Sequence, residues 1–193
     1  MARYSQAERD KIIGIFPDLA FDSHFKVTSD ENPMYNCIGF ALGFNDIWVA
    51  NGRPDDVPWY WWPKDVPFNS APESLIKTFE YFGFEKCEAA DKGEFLAGYD
   101  KVALYQYNGK WTHAAKVIGD QILHSKLGLT HDIHHSAGLS LYKTIPQDQS
   151  YGTIYQYMMR RVEDSHISVD KKPLPSGKMW YKGQLIYAMI PPV

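Results

Sequence analysis

Cys37 is the side chain in this sequence best placed to act as a nucleophile. It follows Asn36, a residue type that caps helices, and it opens the apolar run Ile38-Gly39-Phe40-Ala41-Leu42, which Gly43 can end. A thiol attacks a carbonyl carbon as the thiolate, and little thiolate forms at neutral pH without help. The positive end of a helix is one kind of help, and a nearby imidazolium is another. A first-turn position gives Cys37 the former. His113 is the candidate for the latter. It lies early in the β-rich run Trp111 to Ile118, where strand alternation puts His113, Ala115 and Val117 on one face. The small side chains of Ala114 and Ala115 leave room for a helix to approach. A catalytic base also needs a group that holds its ring and sets its tautomer. His124, near the end of the following strand, is the first candidate, and Ser125 and Asp132 are alternatives that spacing does not separate.

Each of these residues also has a plain structural reading. Free cysteine is among the most buried residue types, His113 can be an ordinary strand residue, and Asn36 reads more simply as a helix cap than as an oxyanion donor. The aromatic run Trp59-Tyr60-Trp61-Trp62 suits the wall of a groove for peptide or glycan, with Trp59, Trp61 and Trp62 as the contacting rings. It equally suits a loop pinned down by buried rings. His131 and His135, with Asp132 and His134 between them, have helical ligand spacing. No Glu stands between them as a base and no third ligand is assigned, so a His-rich loop is the expectation and no metal or other cofactor is implied.

These residues need elements to position them. The sequence predicts a helix from Ser5 to about Ile13, with Gly14 as its stop, and a loop-like stretch from Phe16 to Pro33. A short buried helix follows Asn36. Four prolines between Asn51 and Ser70 forbid long regular structure there. Ser70 and Glu73 fit a capping box, with Pro72 in the first turn and Leu75, Ile76, Phe79 and Phe82 at helical spacing up to Gly83. A β-meander is expected over residues 101–125, because Asn108-Gly109 is a strong hairpin signal and Gly119-Asp120 a second turn. Thr130 to Ser136 reads as helix or loop, Tyr151 to Met159 as a strand, and Gln184 to Ile190 as a last strand. The division is one domain over residues 1–161 and a C-terminal extension over 162–193 that packs on it.

Composition narrows the function. The chain of 193 residues suits a single domain, and a formal charge of −3 gives no electrostatic reason to expect nucleic acid as a partner. No stretch is long or apolar enough to span a membrane, and Met1 to Gln6 lead into a charged segment instead of a signal core. A cytoplasmic protein is therefore expected, and export would need a route without a signal peptide. Two cysteines, Cys37 and Cys87, make neither a disulfide framework nor a zinc motif.

A cysteine that opens a buried helix, followed by a sheet with His on one strand and a polar residue on the next, resembles the papain-like superfamily, most of all the NlpC-type cell-wall peptidases and related amidases. His113 to His124 fits their hairpin arrangement. The segments Tyr35-Asn36-Cys37-Ile38, Trp61-Trp62-Pro63, His113-Ala114-Ala115, Ser125-Lys126-Leu127-Gly128 and Tyr151-Gly152 also resemble a little-characterised bacterial domain family over roughly residues 30 to 161. In that pattern the Ser-Lys-Leu-Gly segment is more typical than a preceding His, which keeps Ser125 in play. The superfamily resemblance implies an α+β papain-like fold with N-terminal helices on an antiparallel sheet. It also implies a cysteine-dependent amide hydrolase (peptidase, amidase or deamidase) with a peptide or peptidoglycan-like substrate, a role that suits a bacterial effector or toxin. The competing expectation is a non-catalytic module that binds peptide or glycan through its aromatic segment.

Overall fold

The computed structural model of the chain describes residues 4–46, 48–50, 61–88, 93–139, 141–143, 150–163, 177–181 and 184–188. Ser5 caps helix α1 (Gln6–Ile15) through a capping box with Glu8. The helix runs past Gly14, because nothing there requires a left-handed residue, and closes where the Phe16 N–H donates to the Ile12 carbonyl. A 3₁₀ turn (Pro17–Phe21) and strand β1 (Lys26–Val27) occupy part of the stretch expected to be loop. Helix α2 (Cys37–Leu42) forms where the sequence places it. Asn36 Oδ1 accepts the Gly39 N–H, and Gly43 ends the helix at φ 103°. Helix α3 (Pro72–Tyr81) lacks the expected Ser70–Glu73 capping box. Asn69 Oδ1 instead accepts from the Ala71 N–H and the Ser74 hydroxyl, while the Ser70 carbonyl is held by the Trp111 N–H.

The strands are β2 (Trp61–Trp62), β3 (Glu85–Lys86), β4 (Tyr99–Tyr107), β5 (Lys110–Gly119), β6 (Ile122–Lys126), β7 (Asp132–Ser136), β8 (Thr153–Arg161), β9 (Gly177–Tyr181) and β10 (Gln184–Ala188). Seven form an antiparallel sheet in the order β1-β7-β6-β5-β4-β8-β3. The fold is therefore α+β, with few helices and an antiparallel sheet at its centre. Asn108 and Gly109 both have positive φ, 50° and 72°, as the two-residue hairpin between β4 and β5 requires. Residues 132–136, expected as helix or loop, are a strand. Pairing with β6 buries Ile133 opposite Ser125, and one buried Ile among polar neighbours gives too weak a period to read from sequence. A second sheet of order β10-β9-β2 joins Trp61 and Trp62 to residues 177–188 through antiparallel pairing of β2 with β9.

Alternation sorts the central strands into two faces. Val102, Leu104, Ala114 and Met158 pack with Cys37, Ile38, Ala41 and Leu42 of α2 and with Leu75 and Phe79 of α3. Ala103, Tyr105, Ala115, Val117, Leu123 and Tyr157 form the core of the other face. A third cluster ties Ile12, Phe16, Leu19 and Val27 to Leu127, Ile133 and Leu141.

Gly152 is required where β8 begins. Its φ is 75°, and a Cβ built there would lie 2.1 Å from the Gln106 carbonyl oxygen, a backbone atom fixed in β4. Gly152→Ala is therefore expected to cost about 3 kcal/mol, combining left-handed strain with a clash that no side chain can relieve. Gly128, at φ 57° with no atom within 4 Å of its Cβ position, is the comparison. Gly128→Ala should cost only about 1 kcal/mol, since it meets the strain without the clash. Urea unfolding of both variants at one pH checks the difference.

Candidate active site

Helix α2 presents Cys37 from one side of the sheet, and β5 presents His113 from the other. Cys37 is buried, and the backbone N–H groups of Ala114, Ile38 and Cys37 itself lie close enough to favour its thiolate. The Ala114 contact locates the thiol. Antiparallel strands direct N–H groups within the sheet, and the register of β5 with β6 stops at Ala115 opposite Ser125. Ala114 is the next residue along β5, so its contact places the sulfur near the point where that pairing ends. Burial pushes the thiol up to about 11, and the three N–H groups and the nearby Lys126 charge only partly offset it.

His113 is fully buried, opposite Tyr105 in β4. Tyr151 stacks flat on its ring, with centroids 4.1 Å apart and planes 2° from parallel, and Tyr105 meets it edge-on. His113 Nε2 is 2.9 Å from Ser125 Oγ, and Ser125 Oγ is 2.7 Å from His135 Nε2. His135 Nδ1 is 3.0 Å from the Ser136 carbonyl oxygen. The other ring nitrogen of His113, Nδ1, is buried with no hydrogen-bond partner. Burial, then the charges of His135 and Lys143, hold the His113 imidazole well below its ordinary value. Burial alone outweighs the other influences on His135 and lowers it to about 4.

Among the described residues no hydrogen bond joins Cys37 to His113. Tyr151 lies on the His113 ring, and burial, then the Cys37 charge, raise its hydroxyl.

A family model described as a domain of unknown function (DUF7689) matches residues 26–159 of the chain. The chain belongs to that family. No curated protein and no solved structure matches it. The DUF7689 match contains Cys37, His113, Ser125, His135 and Tyr151, and it omits α1 and the β9–β10 hairpin.

Within this DUF7689 chain the other residues singled out from sequence fall as follows. Ser125, not His124, lies against His113. His124 is the next residue along β6, so its ring leaves the opposite face, where Nε2 is 2.9 Å from Thr28 Oγ1 and the ring packs on Phe40 and His134. Burial, then His134 and Lys116, lower it to about 4. Asp132 accepts from the Tyr35 hydroxyl at 2.8 Å and lies 3.6 Å from the buried Lys126 ammonium. Asn36 is a cap and a tether: Oδ1 accepts from Gly39 and Val49 N–H, and Nδ2 donates to the Val49 carbonyl. Trp62 is buried, donates to the Val66 carbonyl and stacks on Trp111, so it pins its segment and does not line a groove. The Trp61 backbone pairs with Met179, and Trp59 lies outside the described residues.

His131 and His135 share no helix, and among the described residues no group of three or more His, Cys, Asp or Glu side chains could hold a metal ion. No described helix is long and apolar enough to cross a membrane. Sequence reading missed His135, Tyr151 and Lys126 as parts of the site. A strand through 132–136 would have placed His135 on the face of Ser125, but the polar composition hid that strand. Nothing in the sequence marks Tyr151 as a ring that stacks on His113.

Proposed function

We propose that this chain is a papain-like, cysteine-dependent amide hydrolase, with Cys37 as nucleophile and His113 as general base. The observation that supports this best is the asymmetry of His113: Nε2 is held by Ser125 while Nδ1 is buried and unpartnered. Buried ring nitrogens are ordinarily paired, and one left orphaned is a costly feature that a proton-transfer role explains.

The resting pair is a neutral thiol and a neutral imidazole, because burial disfavours both charged forms. In the proposed reaction the Cys37 proton reaches His113 Nδ1 through an intervening water, since the two side chains leave opposite sides of the sheet and share no hydrogen bond, and the thiolate attacks an amide carbonyl. The imidazolium then protonates the departing amine, leaving a thioester on Cys37. Water adds to the thioester with His113 again taking a proton, and the acid and free thiol are released. The backbone N–H groups of Ala114 and Cys37, which lie close to the sulfur, are suited to the developing oxyanion. Peptidase, amidase and deamidase activities share this sequence of steps.

The burial of Cys37 favours a second reading, a binding module whose thiol is inert packing. Acyl trapping separates the two. After exposure to a p-nitrophenyl ester, intact and peptide mass spectra are expected to show one acyl group on Cys37. Cys87, also buried and in no disulfide, serves as the internal control. His113→Ala should slow acylation by about 100-fold or more, the usual contribution of a general base. Equal acylation in wild type and His113→Ala, or none on Cys37 in either wild type or a Tyr151→Ala variant that uncovers the His113 ring, would leave the inert module as the reading.

A further inference from the structure

Three hydrogen-bonded groups in series decide where the proton of His113 sits. The series starts at a carbonyl. The Ser136 oxygen only accepts, so His135 Nδ1, 3.0 Å away, carries the hydrogen. His135 is neutral at ordinary pH, since burial lowers it to about 4, so its Nε2 is a bare lone pair. Ser125 Oγ, 2.7 Å from that nitrogen, therefore donates its one hydrogen to His135. Having spent that hydrogen, Ser125 Oγ accepts from its second side-chain partner among the described residues, His113 Nε2 at 2.9 Å. His113 Nε2 is then the N–H, and Nδ1 is the lone pair. That is the nitrogen left without a partner.

We propose that His135 is a positioning residue that acts through Ser125 to lock His113 in its Nε2–H tautomer, so that the Nδ1 lone pair is permanently available as a base. The role of that lone pair rests on the thiol-hydrolase reading, whereas the locking does not. The device differs from an acidic orienting group. A carboxylate stabilises the imidazolium as well as fixing the ring. A neutral His behind a serine fixes the tautomer and adds no negative charge, in keeping with the neutral resting pair. Charged groups near the relay are Asp22 and His134 beside His135, and Lys143 beside His113. None of them forms a hydrogen bond with either of the two relay nitrogens of His113 or His135 that meet at Ser125.

Nitrogen-15 correlation spectra of the imidazole rings, recorded on the full chain at neutral pH, test the relay without reference to activity. Wild type is expected to show a pyridine-like Nδ1 on His113 and the reverse pattern, a pyridine-like Nε2, on His135. In His135→Leu the Ser125 hydroxyl loses its acceptor and turns to His113 Nε2, so the His113 Nδ1 signal should move toward the pyrrole-like position. Ser125→Ala should also abolish the single tautomer, and it carries the test by itself if His135→Leu does not fold. His134→Leu, on the opposite face of the same strand, should leave the His113 signals in place. A pyrrole-like Nδ1 on wild-type His113 overturns the proposal, as does an unshifted His113 in both His135→Leu and Ser125→Ala. If the tautomer behaves as expected and Cys37 takes no acyl group, the relay stands and the hydrolase reading falls. If acylation depends on His113 and the tautomer ignores His135 and Ser125, the reverse holds.

Discussion

Between pH 7 and pH 5 the folded state should lose about 2 kcal/mol of stability, and about 3 kcal/mol by pH 4, through His135 alone. The figures follow from a histidine of ordinary value near 6.5 in the unfolded chain and about 4 in the fold, where it is fully buried. The direction is fixed by which state binds the proton. Above pH 6.5 both states carry neutral His135 and the group costs nothing. As pH falls through 6.5 the unfolded chain takes up a proton that the folded chain refuses until about 4, so unfolding is increasingly favoured across that window. His113, held well below its ordinary value by burial and equally buried, pushes the same way. His124 and His134 add less, because both rings are partly exposed. Asp22, held below its ordinary value by its hydrogen bonds with Ser136 and His24 despite the burial that opposes them, adds to the loss only at lower pH. Against a typical total of about 5–15 kcal/mol, a loss of this size moves a urea midpoint visibly. Urea titrations at pH 7 and pH 5 provide the check. In His135→Leu the interval between the two midpoints should shrink, even if the variant is less stable at both pH values. An unchanged interval would mean that His135 is protonated or solvated in the fold, and the tautomer relay would fail with it.

The local signals of the sequence were sound where one short-range rule decided the outcome. Asn36 and Gly43 delimited α2, Asn108-Gly109 made its hairpin, and the helix expected from Ser5 formed with Ser5 as its cap. Those features need only neighbours a few residues apart. The sequence failed where a partner distant in the chain took over. Ser70 did not cap α3, because Trp111 from β5 claims its carbonyl and Asn69 supplies the cap contacts. Residues 132–136 became a strand because β6 and β1 flank them, not through their own pattern. The choice among His124, Ser125 and Asp132 was similarly beyond spacing. Adjacent strand positions face opposite sides, so a one-residue difference decides everything, and only the register of β5 with β6 puts Ser125 on the side of His113. The relay through His135 needed that register and the β6–β7 register together.

Lys126→Met should destabilise the protein by about 3–5 kcal/mol, the usual cost of removing one partner from a buried ion pair. The Lys126 side chain is fully buried. Its ammonium donates to the Thr130 carbonyl, lies 3.6 Å from Asp132 Oδ1, and sits over the Tyr35 ring 4.6 Å from the centroid. Burial pulls the ammonium below its ordinary value, and Asp132 is the first charge opposing that. Without Lys126, the Asp132 carboxylate keeps the Tyr35 hydroxyl and the Ser29-bound backbone around it but loses its cation, and Oδ1 has no hydrogen-bond partner to compensate. The double variant Lys126→Met/Asp132→Asn leaves no uncompensated charge, so it should recover much of the loss. This cycle also separates stability from chemistry. Lys126 is a side-chain charge that lowers the Cys37 thiol, and that influence is absent from the single and the double variant alike. Stability should therefore return in the double variant while acylation of Cys37 stays as slow as in Lys126→Met. If acylation returned together with stability, Lys126 would matter to Cys37 only by holding the fold. Separation of the two would mean that the buried ammonium also acts on the thiol by its charge, a role that no pairing with Asp132 can restore.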